Sequence, residues 1–273
     1  MPAYNAAATI AESIESAWAQ SFRPQEIIVG DDGSTDNTRE IAREHGAVVL
    51  DLAKGNGAIA RNRAAERAEG DILFFLDADD LWHPEKIERH LKVYADHGPG
   101  LILDRSQPFR DDGKAVPWTA GRQQEGFFDW QELINHRHWP SGSGFSVTKE
   151  AYWSVGGFNE KLIKFQDVDF WIRCAHANRA YSIAEELTRY RIVEGSVSKR
   201  TAQHGPNLAN VLEGWPFATD FEKRKFERIT WMMMAERSRW PEALQYLRNA
   251  GPLFGNRFYW KCLLASFRRT IIG

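Results

Sequence analysis

Between positions 8 and 103 the chain alternates between two hydrophobic periods. Over 8–20, Ile10, Ile14, Ala17 and Trp18 recur at helical spacing on one face. Glu26-Ile27-Ile28-Val29-Gly30 is a short apolar run of strand length. It leads into Asp31-Asp32-Gly33-Ser34-Thr35-Asp36, dense in turn and capping residues. Asn37, with Glu40 three positions on, predicts a helix start, and Gly46 a stop. A strand is predicted over 47–52. Gly55-Asn56-Gly57 then turns into a helix over 58–68, ended by Gly70. Asp71-Ile72-Leu73-Phe74-Phe75-Leu76 reads as the next strand. Pro84 opens a helix to about His97, and Leu101-Ile102-Leu103 is a further short strand. Strands alternating with helices predict an α/β fold of right-handed βαβ units, with a mostly parallel sheet covered on both faces. Ligands of such sheets bind beyond the carboxyl ends of the strands. Both acidic clusters, Asp31-Asp32 and Asp77 to Asp80, fall there.

The pattern loosens after position 103. Over 104–200 it is irregular and richer in Gly, Trp and charge. From about Gln203 no strand signal remains, and 221–239 and 242–249 read as helices broken by Pro241 and Gly251-Pro252. The expected organisation is an α/β domain over 1–200, with halves 1–103 and 104–200, and a helical extension over 201–273. Met1-Pro2-Ala3-Tyr4-Asn5 reads as the end of a strand whose body is absent, so a truncated first strand is expected, with the native chain starting upstream. The 43% hydrophobic content is ample for a core, and a net charge of -2 gives no pull toward nucleic acid. Two cysteines far apart fit a reducing, cytoplasmic setting. No secretory signal and no membrane-spanning run is evident. The 11 tryptophans suggest an aromatic binding surface, although core packing is the commoner use of any one of them.

The candidate chemistry centres on Asp77-Ala78-Asp79-Asp80. Three carboxylates in four residues at a strand mouth repel one another. A hard divalent cation with oxygen ligands relieves that most simply; the plain alternative is a polar loop that happens to be acidic. A second cluster is Gln166-Asp167-Val168-Asp169-Phe170-Trp171-Ile172-Arg173. On a helix, Asp167 and Asp169 point different ways while Phe170 and Trp171 anchor it. One carboxylate beside a metal–phosphate site can act as a general base; otherwise the acids simply favour a helix start. Ser141-Gly142-Ser143-Gly144-Phe145 and Gly156-Gly157-Phe158 bracket a predicted helix, and their glycines allow close backbone approach. Gly55-Asn56-Gly57-Ala58-Ile59-Ala60, with Asp77 twenty positions after Gly57, also fits a dinucleotide fingerprint and hence an oxidoreductase. Against it, Asp79 and Asp80 would go unexplained, and a strand–helix unit with its own acidic turn comes earlier. His136 and His138 could ligate a metal from a strand, though a surface pair is the simpler reading. The basic, aromatic segment 257–269 could lie on an anionic membrane or dock as a last helix.

Taken in order, Pro2-Ala3-Tyr4-Asn5, Asp31-Asp32-Gly33-Ser34-Thr35-Asp36, Ala60-Arg61-Asn62, Asp77-Ala78-Asp79-Asp80, Gly156-Gly157-Phe158 and Gln166-Asp167 resemble glycosyltransferase family 2. The family's members are inverting nucleotide-sugar enzymes of GT-A fold. The resemblance covers about residues 1–200 and makes 1–103 the nucleotide-binding half and 104–200 the acceptor side. It implies that Asp32 binds the nucleobase with Ala3 and Tyr4 beside it, and that Asn56, Arg61, Asp77 and Ala78 line the donor. Asp77 and Asp79 match the DxD motif, with Asp79 on a Mn²⁺ or Mg²⁺ ion and Asp77 toward the ribose and the metal's water shell. Asp167 matches the family's base, and Gly156, Gly157, Phe158 and Gln166 lie on the acceptor side. His204 stands where some GT-A enzymes place a further metal ligand. The resemblance implies a nucleotide-sugar donor, UDP-linked, and a carbohydrate or lipid-linked glycan acceptor in bacterial envelope synthesis at the inner face of the membrane. Two departures stand out. Gln166 replaces the Glu that precedes the base, and the Gln-x-x-Arg-Trp signature of processive members is missing, so single addition is expected. A non-catalytic binding module of the same fold is the alternative that Gln166 raises.

Overall fold

The computed structural model describes residues 1–116, 123–134 and 140–192, all within the first of the two units into which the chain divides, Met1–Val193. His136, His138, His204 and the extension over 201–273, with its basic aromatic segment, lie outside the described residues.

The alternation read from the sequence is present. Strands β1 (Pro2–Ala3), β2 (Ile28–Asp31) and β3 (Val48–Asp51) form a parallel sheet in the order β1-β2-β3. Helices α1 (Ile10–Trp18) and α2 (Thr38–Glu44) connect them. Ile10, Ile14 and Ala17 of α1 are buried with Val29, Ala47, Leu76, Trp82 and Ile87 in one core cluster. The helical spacing of α1 thus lays a single apolar stripe on the sheet. Helix α3 (Gly57–Arg67) follows, begun by Asn56, whose Oδ1 accepts from the amides of Ala58 and Ile59. Strand β4 (Ile72–Phe75) comes next and ends at the acidic loop.

The remainder is less parallel than expected. A six-stranded sheet runs β4-β8-β6-β9-β5, with β7 (Gly126–Phe128) on β9. Its members are β5 (Leu81–Trp82), β6 (Leu101–Phe109), β8 (Phe145–Thr148) and β9 (Ala180–Arg191). Only β6 and β9 pair in parallel; β4–β8, β6–β8, β5–β9 and β7–β9 are antiparallel. The reason is local. The one described helix between β7 and β8, α5 (Trp130–Ile134), is a single short turn, and β8 enters the sheet running against β4 and β6. The 101–103 run is the start of a nine-residue strand, β6, and α4 (Lys86–His97), α6 (Lys149–Ser154) and α7 (Gln166–Ala177) complete the described elements.

Two packing units place the site. One is aromatic: Phe75 stacks on Phe145 at 4.7 Å, and Phe158 stacks on Phe170 at 4.8 Å. Tyr152 and Trp171 close the group. Each such pair adds about 0.5–1.5 kcal/mol beyond burial. Together they pin α7 against β4 and β8. The other unit is polar and fully buried. The Lys86 ammonium is ion-paired to Asp104 and donates to the Ser143 carbonyl at 3.0 Å and to Thr188 Oγ1 at 2.8 Å. Thr188 Oγ1 donates to Asp104 Oδ1 at 2.7 Å, and His90 Nε2 stands 3.1 Å from Asp104 Oδ2. Burial pushes the Lys86 ammonium below its usual range and His90 down to about 4, so His90 is neutral. Burial alone would raise Asp104; the Lys86 charge and the His90 hydrogen bond outweigh it and hold the carboxyl below its ordinary value. Removing one partner of such a pair leaves the other charge buried and uncompensated. Lys86→Met is therefore expected to lower unfolding free energy by about 3–5 kcal/mol in urea denaturation. A loss under about 1 kcal/mol, the range of surface pairs, would contradict this role.

Candidate active site

Immediately after β4 the chain turns through Asp77, Ala78, Asp79 and Asp80, and the turn is held by a set of hydrogen bonds. The Asp77 amide donates to Ser143 Oγ at 2.9 Å, and Ser143 Oγ donates to Asp80 Oδ2 at 2.6 Å. The Asp80 amide donates to the Asp77 carbonyl at 3.2 Å, and Thr9 Oγ1 of the α1 entry donates to the Ala78 carbonyl at 2.8 Å. Asp80 is fully buried, and its Oδ1 accepts the Arg191 amide at 2.8 Å. Burial, then the neighbouring Asp79 and Asp77, push its carboxyl well above the usual range. Asp80 shapes the loop from within.

Asp79 and Asp77 take the opposite side. Burial, followed by repulsion from Asp77, raises the Asp79 carboxyl to about 6. The folded-state value lies above the ordinary one, so ionised Asp79 costs the fold stability at neutral pH, and the cost is relieved as pH falls through about 6. Asp77 Oδ1 is paired with Arg61 Nη2 at 2.6 Å. Its other oxygen faces Gly142, where a β-carbon would stand 2.9 Å from Oδ2. Any side chain at 142 would press on that carboxylate.

Arg61 joins the two acidic motifs. Its Nη1 donates to Gln166 Oε1 at 3.0 Å, so one guanidinium spans Asp77 of the loop and Gln166 at the start of α7. Gln166 Nε2 donates to the Leu162 carbonyl at 2.6 Å and reaches Asn56 Oδ1 at 3.4 Å. Gly57 leaves room for this bridge: a β-carbon on it would stand 2.9 Å from Arg61 Nη1 and 3.2 Å from Gln166 Oε1 and would displace their ends. Asp167 follows, half-buried, with Oδ1 accepting the Val168 amide at 2.8 Å. Burial raises its carboxyl, opposed by Arg61 and reinforced by Asp77. Asp169 points away, as the helical spacing requires: it is buried and pairs with Arg173 four residues on, at 2.7 Å. Phe165, just before α7, has φ +59, a left-handed conformation rare for a bulky side chain, and it sets the angle at which the helix begins.

The glycine pair has a different partner. Gly156 and Gly157 have φ +74 and +68, and a β-carbon on Gly157 would stand 2.7 Å from Asn62 Oδ1. That same oxygen accepts from the Phe158 amide and from Tyr152 OH, while Asn62 Nδ2 donates to the Phe158 carbonyl. The Gly156-Gly157-Phe158 loop is thereby tied to α3. The Phe158 ring, 2% exposed, belongs to the aromatic core, with the Arg61 guanidinium 5.3 Å from its centre.

The nucleobase-side residues of the sequence reading also come together. Asp32 follows β2, and its amide donates to the Ala3 carbonyl at 2.8 Å. Its Oδ2 is paired with Lys54 at 2.7 Å and its Oδ1 accepts the Gly55 amide at 2.6 Å. The Lys54 ammonium also stands 3.1 Å from the centre of the half-exposed Tyr4 ring. Asn56 Nδ2 donates to the Glu160 carbonyl, holding the start of α3 beside the loop that follows Phe158.

The model of glycosyl transferase family 2 matches residues 1–156. The chain belongs to this family. It is 41% identical over 240 residues to the UDP-Glc:alpha-D-GlcNAc-diphosphoundecaprenol beta-1,3-glucosyltransferase WfgD of Escherichia coli, covering 85% of this chain and 89% of WfgD. It is 30% identical over 209 residues to the amylovoran biosynthesis glycosyltransferase AmsB of Erwinia amylovora, covering 71% and 68%. Among solved structures it resembles S. aureus TarS 1-349 in complex with UDP-GlcNAc, with a TM-score of 0.67 at 16% identity over 98% of this chain and 87% of that one. The fold is therefore the GT-A fold of a family 2 glycosyltransferase, and the dinucleotide-oxidoreductase reading falls. What satisfied that fingerprint serves other contacts: Asn56 caps α3, and Gly57 gives room to Arg61 and Gln166.

An apolar cavity of about 240 Å³, lined by Ile28, Ala64, Leu73 and Phe75 among others, takes in none of the four residues of the acidic loop. Sequence reasoning did not single out Ser143, Lys54 or Arg191, which contact Asp80, Asp32 and Asp79. Ser143 alone had a signal, its place in a Ser/Gly-rich run. Because ionised Asp79 is unfavourable in the free protein, Asp79→Asn is expected to raise the melting temperature at pH 7.5 in EDTA, a gain that shrinks as pH falls below about 6. Scanning fluorimetry across that range checks it; a lower melting temperature at pH 7.5 would contradict the assignment.

Proposed function

We propose that this enzyme transfers one sugar from a UDP-sugar to a hydroxyl of a lipid-linked glycan in envelope polysaccharide synthesis, with inversion at the anomeric carbon and with a divalent cation. The observation that carries the reading is the Arg61 bridge, which sets the Asp77 and Asp167 segments on one side of the molecule through Gln166. Support for the donor comes from WfgD, named for UDP-Glc, and from TarS, solved with UDP-GlcNAc. Support for the acceptor is the diphosphoundecaprenol in the name of WfgD.

The donor atoms fit a cation of the Mn²⁺ or Mg²⁺ kind. Among the described residues no group of three or more His, Cys, Asp or Glu is placed to hold a metal. Two carboxylates are available, Asp77 and Asp79, one of them raised by burial and mutual repulsion. A hard cation that takes its other ligands from water and substrate phosphates needs no more. When bound, it would offset the charge that develops on the departing diphosphate.

Asp167 takes the acid–base role. As the acceptor oxygen bonds to the anomeric carbon, its proton passes to the Asp167 carboxylate, and the bond from that carbon to the diphosphate oxygen breaks. One carboxylate suffices for direct displacement, and no covalent intermediate forms. Burial raises the Asp167 carboxyl, which makes it a better proton acceptor than an exposed one. Gln166 refines this. With an amide there, the Arg61 charge acts on Asp77 and Asp167 without a third carboxylate to offset, and Asp167 has one negative neighbour fewer than a Glu would give it. The departure from the family pattern alters the base's surroundings and leaves the base.

Asp167→Asn is expected to lower kcat/KM by about 10²–10⁴-fold while UDP affinity stays within about threefold. The assay is nucleoside diphosphate release from a panel of donors with a diphosphoundecaprenol-linked acceptor. Undiminished turnover by the variant would remove Asp167 from the mechanism. Turnover confined to a donor with another nucleobase would overturn the UDP assignment.

A further inference from the structure

Arg191 closes β9 and belongs to none of the motifs that carry the family resemblance, yet it touches two residues of the acidic loop. Its amide donates to Asp80 Oδ1 at 2.8 Å and its Nε to the Asp79 carbonyl at 2.8 Å. Nη1 donates to Asp111 Oδ1 at 3.1 Å and Nη2 to Glu12 Oε2 at 2.6 Å. All three guanidinium nitrogens are therefore engaged. The group lies 4.7 Å from the centre of the Phe109 ring, and the side chain is 8% exposed. A planar, packed guanidinium with this many fixed donors loses little freedom by holding a loop.

We propose that Arg191 is a positioning residue for Asp79. Ser143 fixes the loop at Asp77 and Asp80, and the Asp80 amide returns to the Asp77 carbonyl, but neither gives the Asp79 carbonyl a donor. Arg191 Nε supplies that donor. A rotation of the peptide between Asp79 and Asp80 would swing the Asp79 side chain away from Asp77, and the Nε contact opposes it. Charge works in the same direction: Arg61 faces the Asp77 end of the cluster, and Arg191 brings a cation to the Asp79 end. Glu12 and Asp111, both mostly exposed, anchor the far side of the guanidinium to α1 and to the segment after β6. The inference rests on the cation reading of the site given above.

The test compares wild type, Arg191→Met, Arg191→Lys and Glu12→Gln. Met keeps an apolar stem without the charge; Lys keeps the charge; Glu12→Gln leaves both loop contacts intact. Two Mn²⁺ titrations are read: thermal shift at fixed UDP, and donor kcat/KM. Arg191→Met is expected to move both Mn²⁺ midpoints upward by about tenfold or more, the worth of one charge-assisted hydrogen bond, with kcat recovered at saturating Mn²⁺. Arg191→Lys should fall between it and the wild type, and Glu12→Gln within about twofold of the wild type. If the Met variant does not fold, the Lys midpoint decides. A wild-type midpoint in the Arg191 variants, whatever their loss of melting temperature, would leave Arg191 a purely structural residue and overturn the proposal. A wild type whose UDP binding and turnover are indifferent to Mn²⁺ would instead overturn the cation reading, and this inference with it.

Discussion

The hydroxyl of Ser143 is the contact on which the arrangement turns. It accepts the amide of Asp77 and donates to the carboxylate of Asp80, so one atom fixes both ends of a loop with three carboxylates in four residues. Its backbone carbonyl takes the Lys86 ammonium and the Trp82 indole N–H. The acidic loop and the buried Lys86–Asp104 pair therefore share a residue. That explains why a costly buried charge pair sits where it does. Burying two ions is seldom a route to stability by itself, but a pair that also fixes a neighbouring carbonyl restricts the conformations open to the loop above it.

From this node the site assembles by relay rather than by direct contact. Arg61 carries the geometry from Asp77 to Gln166, and Gln166 passes it to Asn56 and Leu162. Asn62, the residue after Arg61 and so on a different face of α3, ties the Gly156-Gly157-Phe158 loop to the same helix. Helix α3 thus links the acidic loop to the segment 158–166. Its glycine at 57 is explained by the room Arg61 and Gln166 need, and the glycine at 157 by the room Asn62 needs.

The first half of the fold was legible because each element there carries its own period: the stripe of α1, the apolar runs of β2 and β4, the capping Asn56. The strands after β6 were not, for physical reasons, although the helices α6 and α7 were. β8 and β9 are defined by partners far along the chain, and their alternation is blurred by burial on both sides and by the polar residues Ser146 and Thr188 that serve the inner network. The motif residues of the candidate site could be read, since acids crowded at a strand end stand out in any composition. Arg191 could not: it meets Asp80 across 111 positions, and nothing local marks it. Phe158 shows the converse. Its place in a motif was readable, while its burial in an aromatic core depended on rings from β4, β8 and α7.

The central claim is that the Ser143-held loop presents Asp77 and Asp79 as the protein's half of a cation–diphosphate site in a family 2 glycosyltransferase. Calorimetric titration of UDP into the protein, in Mn²⁺ and in EDTA, tests it most directly. The account predicts that removing the cation weakens UDP binding by about tenfold or more, because two unneutralised carboxylates then face the diphosphate. Equal affinity in Mn²⁺ and in EDTA would contradict it.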